Sequence, residues 1–304
     1  MANLPGPLEL FRQAWDVFEK RWKTMLGILF VAYAGVGVVA LAGLGGVHIW
    51  NWFQKQVQPQ VSETVFFVVV AAGAILGLAL LVSVLFLSLW SQIALLYAAK
   101  DHAENIDFRE AFRRARGKVS PFLWLSFLNG LLIAGGLVLF IIPGVLFAIW
   151  FSLMQFVFVA EGERGLNALL KSREYVRGHF WPVAWRMLFT VAVAILATAI
   201  PARIIEIFEP RVLPQIFNYL VSMVLGPVIV LYTFFLYDSL KKLKGGVKFT
   251  PSRGAKAGIV APFAIVIVLI PILLFLAGRT LQRNPQLQEK LRNELNKINT
   301  ANPR

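Results

Sequence analysis

The chain contains no cysteine, only three histidines, and acids at 16 of its 304 positions. Without cysteine there is no disulfide framework, thiol nucleophile, iron–sulfur cluster or lipidated thiol. His48, His102 and His179 are widely spaced, so no metal triad is visible and no cofactor is implied. Charged residues of both signs make up 15% of the chain and hydrophobic residues 58%, a surface too poor in charge for an ordinary soluble domain. The first 23 residues carry Glu9, Asp16 and Glu19 and do not resemble the short basic start of a cleaved signal peptide, so the first apolar span is expected to stay in the mature protein.

What is present comes in long uncharged runs between short basic segments. That pattern is helical, because a membrane barrel would show alternating strands of roughly ten residues. The 42 residues from Val119 to Ala160 carry no charge. One helix of that length would extend roughly 63 Å, about twice the hydrocarbon core. Cut at Pro143-Gly144, the run becomes two crossings, so this pair is expected to form a tight turn between spans rather than a hinge within one. Other spans are expected over about 24–47, 64–88, 181–202, 214–237 and 257–278, with a loop and aromatic belt at "HIWNWFQKQVQPQ".

The basic residues orient this layout. Segments 1–23, 100–118, 164–186 and 241–256 hold four, six, five and six Lys and Arg, whereas the opposite side holds Lys55, Arg203 and Arg211 alone. The bias places the N-terminus in the cytoplasm of a multi-pass protein of the plasma or inner membrane. The net charge of +14 therefore reads as topology rather than as nucleic-acid binding. Six further basic residues after Gly278 conflict with a crossing at 257–278, which stands either as a seventh span or as a re-entrant or surface segment around Pro262 and Pro271.

Three amphipathic helices are expected at about 8–22, 107–118 and 165–177, each ahead of a two-span hairpin. The first carries Phe11, Ala14 with Trp15, Phe18 and Trp22 on one stripe. The second opens on the capping-box pair Asp107 and Glu110 and carries Phe108, Ala111, Phe112 and Ala115. The third has Leu166, Leu169, Leu170 and Val176. At offsets of 97 and 158 the three superpose loosely, with Arg21, Lys118 and His179 coinciding before each span. The expected architecture is an all-α polytopic bundle of six to seven spans: a core over 1–256, a segment at 257–278 and a polar amphipathic tail over 279–304.

Basic side chains on such helices meet anionic headgroups, each worth about 1 kcal/mol in that field. The candidates are Arg109, Arg113, Arg114, Arg116, Lys118, Lys171 and Arg177; the alternative is that these charges only enforce topology. At membrane depth the polar residues are Asn129, Gln155 and several serines, read as helix-to-helix hydrogen bonding. Gly73 and Gly77 form a small-residue pair suited to close helix packing. No phosphate loop, nucleophile elbow or carboxylate pair stands in a workable context, so no catalysis is expected.

The block Leu139–Val183, with Ile-Pro-Gly at 142–144, Glu161-Gly162, Ala168-Leu169, Lys171-Ser172 and a Gly-aromatic entry at Gly178–Trp181, resembles the membrane domain of some bacterial glycerophosphoryl diester phosphodiesterases and its stand-alone relatives of unknown function. The resemblance implies a six-span core with interfacial helices. It carries over no catalytic residue, because the diesterase chemistry belongs to a soluble domain. The reading is a non-catalytic membrane protein that meets anionic lipid, a protein partner or a second copy at the cytoplasmic leaflet. The alternative is a transporter or channel for a weakly polar or lipid-like solute.

Overall fold

A computed structural model describes residues 4–57, 62–139, 141–208 and 213–247, with four isolated positions beyond. The expected seventh span over 257–278 and the tail over 279–304 lie outside the described residues. Among those described there are nine α-helices and no strand: α1 (Pro7–Trp52), α2 (Glu63–Lys100), α3 (Phe108–Ala115), α4 (Val119–Leu139), α5 (Ile141–Trp150), α6 (Met154–Glu161), α7 (Leu166–Val176), α8 (Phe180–Phe208) and α9 (Leu213–Lys244). Six segments are long and apolar enough to span a bilayer, α5 and α6 together forming one of them. Their large apolar side chains point outward, Leu41 at 70% exposure and Ile75 at 68%. Helices with such a surface bury it in lipid, and the chain is an all-α, multi-pass integral membrane protein.

Two units make up the chain: Met1–Gly130 with Leu146–Thr250, and Leu131–Val145 with Pro251–Arg304. The core of the first gathers Leu10, Ala14, Ile93, Leu96, Phe122, Phe156, Tyr175, Tyr232 and Tyr237 at the basic ends of the helices. Phe156 stacks on Tyr237 at 6.0 Å, and Phe122 meets Phe158 at 5.5 Å.

The first amphipathic helix and the first span form one element. Gly6 and Pro7 open α1, and the Glu9 carboxylate accepts the Gly6 N–H at 3.3 Å. The axis kinks at Arg21 (φ −125°, ψ 15°), and the face turned inward is Leu10, Ala14, Phe18, Arg21, Met25 and Ile28. The expected stripe is therefore rotated, with Trp15 and Trp22 exposed. Arg21 decides the rotation: its guanidinium donates to the carbonyls of Ala98, Asp101, His102 and Ile106, at and just beyond the end of α2.

Polar residues at 51–57 do not break α1 as expected; it runs to Trp52 and continues in a π-helical turn, Phe53–Val57. Asn and Gln can stay in a helix when no Pro or Gly intervenes, and Phe53 stacks on Trp50 and Phe66 at 5.9 and 6.3 Å.

The Pro143-Gly144 pair also lies elsewhere than expected. The two residues sit inside the first turn of α5. A first-turn N–H has no helical partner, so proline is tolerated there. Gly144 serves close approach: a Cβ on it would fall 2.5 Å from the Leu137 side chain and 2.8 Å from its backbone nitrogen. The pair thus shapes a helical hairpin without being its turn.

The short helices α3 and α7 share an exit. Arg116 (φ −59°, ψ 135°) precedes Gly117 (φ 73°), and Arg177 (φ −56°, ψ 129°) precedes Gly178 (φ 81°). Each pair forms a type II turn, closed by Lys118 N–H to Ala115 C=O at 3.1 Å and His179 N–H to Val176 C=O at 2.9 Å. The loose sequence repeat is therefore a repeated junction between short helix and span, with Arg21 at the corresponding kink in α1. In the third helix protein covers the apolar face: Ala168, Leu169, Leu170, Ser172, Tyr175 and Val176 are buried.

Candidate functional site

Helix α3 starts where the Asp107 carboxylate accepts the Glu110 N–H at 2.8 Å. Glu110 does not return the bond as a capping box would. Its Oε2 takes Arg113 at 2.7 Å and its Oε1 takes the Arg114 Nε at 2.8 Å. Those hydrogen bonds, Arg114's first and Arg113's next, hold the Glu110 carboxyl below its ordinary pKa. Arg114 also pairs with Asp101 and, at 2.8 Å, with Glu104, and these three acids raise its pKa. It is a structural tie between α3 and the end of α2.

The other three arginines of this segment are exposed and converge on a groove. A cavity of about 540 Å³ is lined by Val31 of α1, Leu87 and Trp90 of α2, and Phe108, Arg109, Phe112, Arg113 and Arg116. Its floor is fixed. The Trp90 indole N–H donates to the Phe112 carbonyl at 3.1 Å, and the Trp90 and Phe112 rings meet edge-to-face at 5.2 Å. Phe108 packs on Phe112 at 4.9 Å and fits against the bare backbone of Gly27, 3.4 Å from where a Cβ would stand. Arg109 and Arg113 stand one helical turn apart on α3, and Arg116 follows in the turn after the helix, all three lining the mouth. The arrangement offers guanidinium donors over an apolar bed.

The remaining headgroup candidates lie away from this groove. Lys118 is half-buried at the start of α4, where its carbonyl accepts the Phe122 N–H. Arg177 pairs with Glu174 at 3.6 Å, and its carbonyl accepts the Lys244 ammonium at 2.6 Å. Lys171 is committed elsewhere, at 2.6 Å from Glu161 and 3.3 Å from Glu163, with 12% of its side chain exposed.

Glu161, which the sequence marks only as an acidic-Gly step, is the centre of that second cluster. Its Oε1 accepts the hydroxyls of Tyr175, at 2.8 Å, and Tyr237, and Lys241 stands 4.0 Å away. One carboxylate thus joins α6, α7 and α9. Burial works against the Lys171 ammonium, but the bond and charge of Glu161, backed by Glu163, outweigh it and raise its pKa. Burial, then its bond to Glu161, raises the Tyr175 phenol.

Ser172 works beside it. The span over 141–161 is interrupted at 151–153, and the buried Ser172 hydroxyl donates to the Trp150 carbonyl at 2.8 Å and accepts the Leu153 N–H at 3.2 Å. Buried backbone groups freed by a helix break need such partners. Arg173 covers the Trp150 ring at 4.5 Å. Arg186 is buried on the chain start, donating to Pro5 and Leu4 carbonyls at 2.9 Å, while Tyr232 donates to the Arg186 carbonyl at 3.1 Å.

The expected intramembrane hydrogen bonds differ in outcome. Asn129 Oδ1 is buried with no partner among the described residues, and Gln155 is half-buried on α6. Gly73 and Gly77 do not mediate close packing: a Cβ on either would meet nothing within 4 Å. They line an apolar cleft of about 780 Å³ between the C-terminal half of α1 and the N-terminal half of α2, with Gly43 and Gly46 opposite and Trp50 at one end. The close α1–α2 approach is at Gly35, where a Cβ would stand 2.8 Å from Leu87.

These features define a class, the multi-pass α-helical membrane proteins. Among curated proteins the chain is similar to a UPF0259 membrane protein of Pectobacterium carotovorum subsp. carotovorum (strain PC1), 32% identical over 142 residues, which is 44% of this chain and 54% of that protein. The match spans about half the length of that relative. No family model matches the chain, so the resemblance to the diesterase membrane domain finds no support there. No solved structure matches.

Proposed function

We propose that this protein is a non-catalytic membrane protein that holds anionic lipid at the cytoplasmic leaflet, through the groove between α1, α2 and α3. The observation that carries the reading is the convergence of Arg109, Arg113 and Arg116 on an apolar cavity. A lipid has the same two parts, an anionic head and a greasy stem. The excess of Lys and Arg on the α3 side supports its cytoplasmic placement.

Topology alone accounts poorly for the three arginines. At the corresponding positions of the first amphipathic segment stand Arg12, Asp16 and Glu19, and in α7 stand Leu170, Glu174 and Arg177. The repeated junction therefore forms without all three arginines, and in both other copies an acid stands at the second place. The alternative, passage of a lipid-like solute, draws on the α1–α2 cleft, whose apolar lining suits no charged cargo.

Native mass spectrometry of the full chain tests the reading. Replacing Arg109, Arg113 and Arg116 together by Gln is expected to lower retention of anionic phospholipid at least fivefold relative to the parent. Unchanged retention would refute it. For orientation, a Cys replacing the exposed Ile142 is expected to react with an impermeant reagent from outside the cell, and a Cys replacing Ala103 is not.

A further inference from the structure

We infer that the headgroup held in this groove is a phosphomonoester dianion, as in a phosphatidate-type lipid, rather than the phosphodiester of lipids with an alcohol or amine beyond the phosphate. The inference rests on the anionic-lipid reading and specifies its ligand.

Charge is the first argument. Three guanidiniums face the groove, and among the described residues only Arg113 of the three has an acidic partner, Glu110, which it shares with Arg114. About two positive charges are left for a ligand. A phosphodiester brings one negative charge, whereas a phosphomonoester carries about −1.5 to −2 at neutral pH on three terminal oxygens.

Hydrogen-bond sense is the second, and it is independent of the first. The side chains lining the groove are apolar or donate; the single indole N–H among them is spent on the Phe112 carbonyl. Glu110, the nearest acid on α3, has both oxygens occupied by Arg113 and Arg114. A glycerol hydroxyl would find no free side-chain acceptor in the lining, and an ethanolamine or choline cation would meet three like charges. A terminal phosphate dianion needs only donors. The guanidiniums of Arg109 and Arg113, one helical turn apart, and of Arg116 just past the helix end can grip its oxygens in pairs, the geometry in which Arg binds phosphate best.

The test is competition in native mass spectrometry, with full-length protein offered equimolar dioleoyl phosphatidate, phosphatidylglycerol and phosphatidylethanolamine. Phosphatidate is expected to be retained at least fivefold over phosphatidylglycerol. Arg109→Gln with Arg116→Gln, both at exposed positions, is expected to reduce that preference to less than twofold. Equal retention of the two anionic lipids, lost for both in the variant, would overturn the dianion assignment and leave the anionic-lipid reading standing. Equal retention of phosphatidylethanolamine would overturn both.

Discussion

Replacing Glu161 by Gln removes the charge at the meeting point of α6, α7 and α9 while nearly preserving shape. The carboxylate is 11% exposed, holds Lys171 at 2.6 Å and accepts two tyrosine hydroxyls. Breaking a buried ion pair by removing one partner costs about 3–5 kcal/mol. Glu163, 3.3 Å from the same ammonium, offsets part of that loss. The amide oxygen of Gln can still accept one tyrosine, so the expected cost is about 2–4 kcal/mol. At roughly 2 °C per kcal/mol for a chain of this size, the melting temperature in detergent should fall by about 4–8 °C. Glu161→Leu with Lys171→Met removes both charges together and should recover at least half of the loss, because no unpaired ammonium is left behind. The pair also fixes a pH signature. A lysine whose pKa is raised on folding contributes stability that is complete below its unfolded value of about 10.4 and is lost as pH rises through the raised value. The parent should therefore show no loss from this pair between pH 6 and 9 and a loss above about pH 10.4, which Glu161→Gln should lack. A melting temperature unchanged to within about 1 °C in Glu161→Gln would refute the reasoning.

Further outcomes follow from the same geometry. Ser172→Ala strips the partner from both the Trp150 carbonyl and the Leu153 N–H, and should cost about 2–3 kcal/mol in thermal or denaturant unfolding. Gly144→Ala should cost about 1–3 kcal/mol by the same measurement, because its methyl group must displace Leu137, including backbone. Glu110→Gln frees Arg113 while Asp101 and Glu104 still hold Arg114, so retention of anionic lipid should rise rather than fall.

Much of the architecture was legible because it depends on length and charge. Forty-two uncharged residues cannot be one crossing, and the hairpin of α4 with α5 and α6 answers that count. The faces of the short helices were less legible, since periodicity finds an apolar stripe without saying whether lipid or protein covers it. In α1 the choice was made by Arg21, a charged residue that the stripe excluded and that four carbonyls draw inward. In α7 it was made by Ser172, whose value comes from a helix break some 20 residues earlier. The five basic residues between Arg109 and Lys118 looked equivalent in the sequence. They are sorted by partners distant in the chain, with Asp101 and Glu104 taking Arg114 out of the set. Glu161 had a signal, as the first charge after the long apolar run, but its tyrosine partners at 175 and 237 are visible only in the fold.

Photo-crosslinking with an anionic lipid bearing a diazirine near the top of its acyl chain, followed by peptide mapping, measures where that lipid sits. The account places the crosslinks on Val31, Leu87 and Trp90 and on Phe108 and Phe112, and expects them to disappear when Arg109, Arg113 and Arg116 are neutralised. Crosslinks spread evenly over the lipid-facing helices, or retained at the groove in that variant, would contradict it.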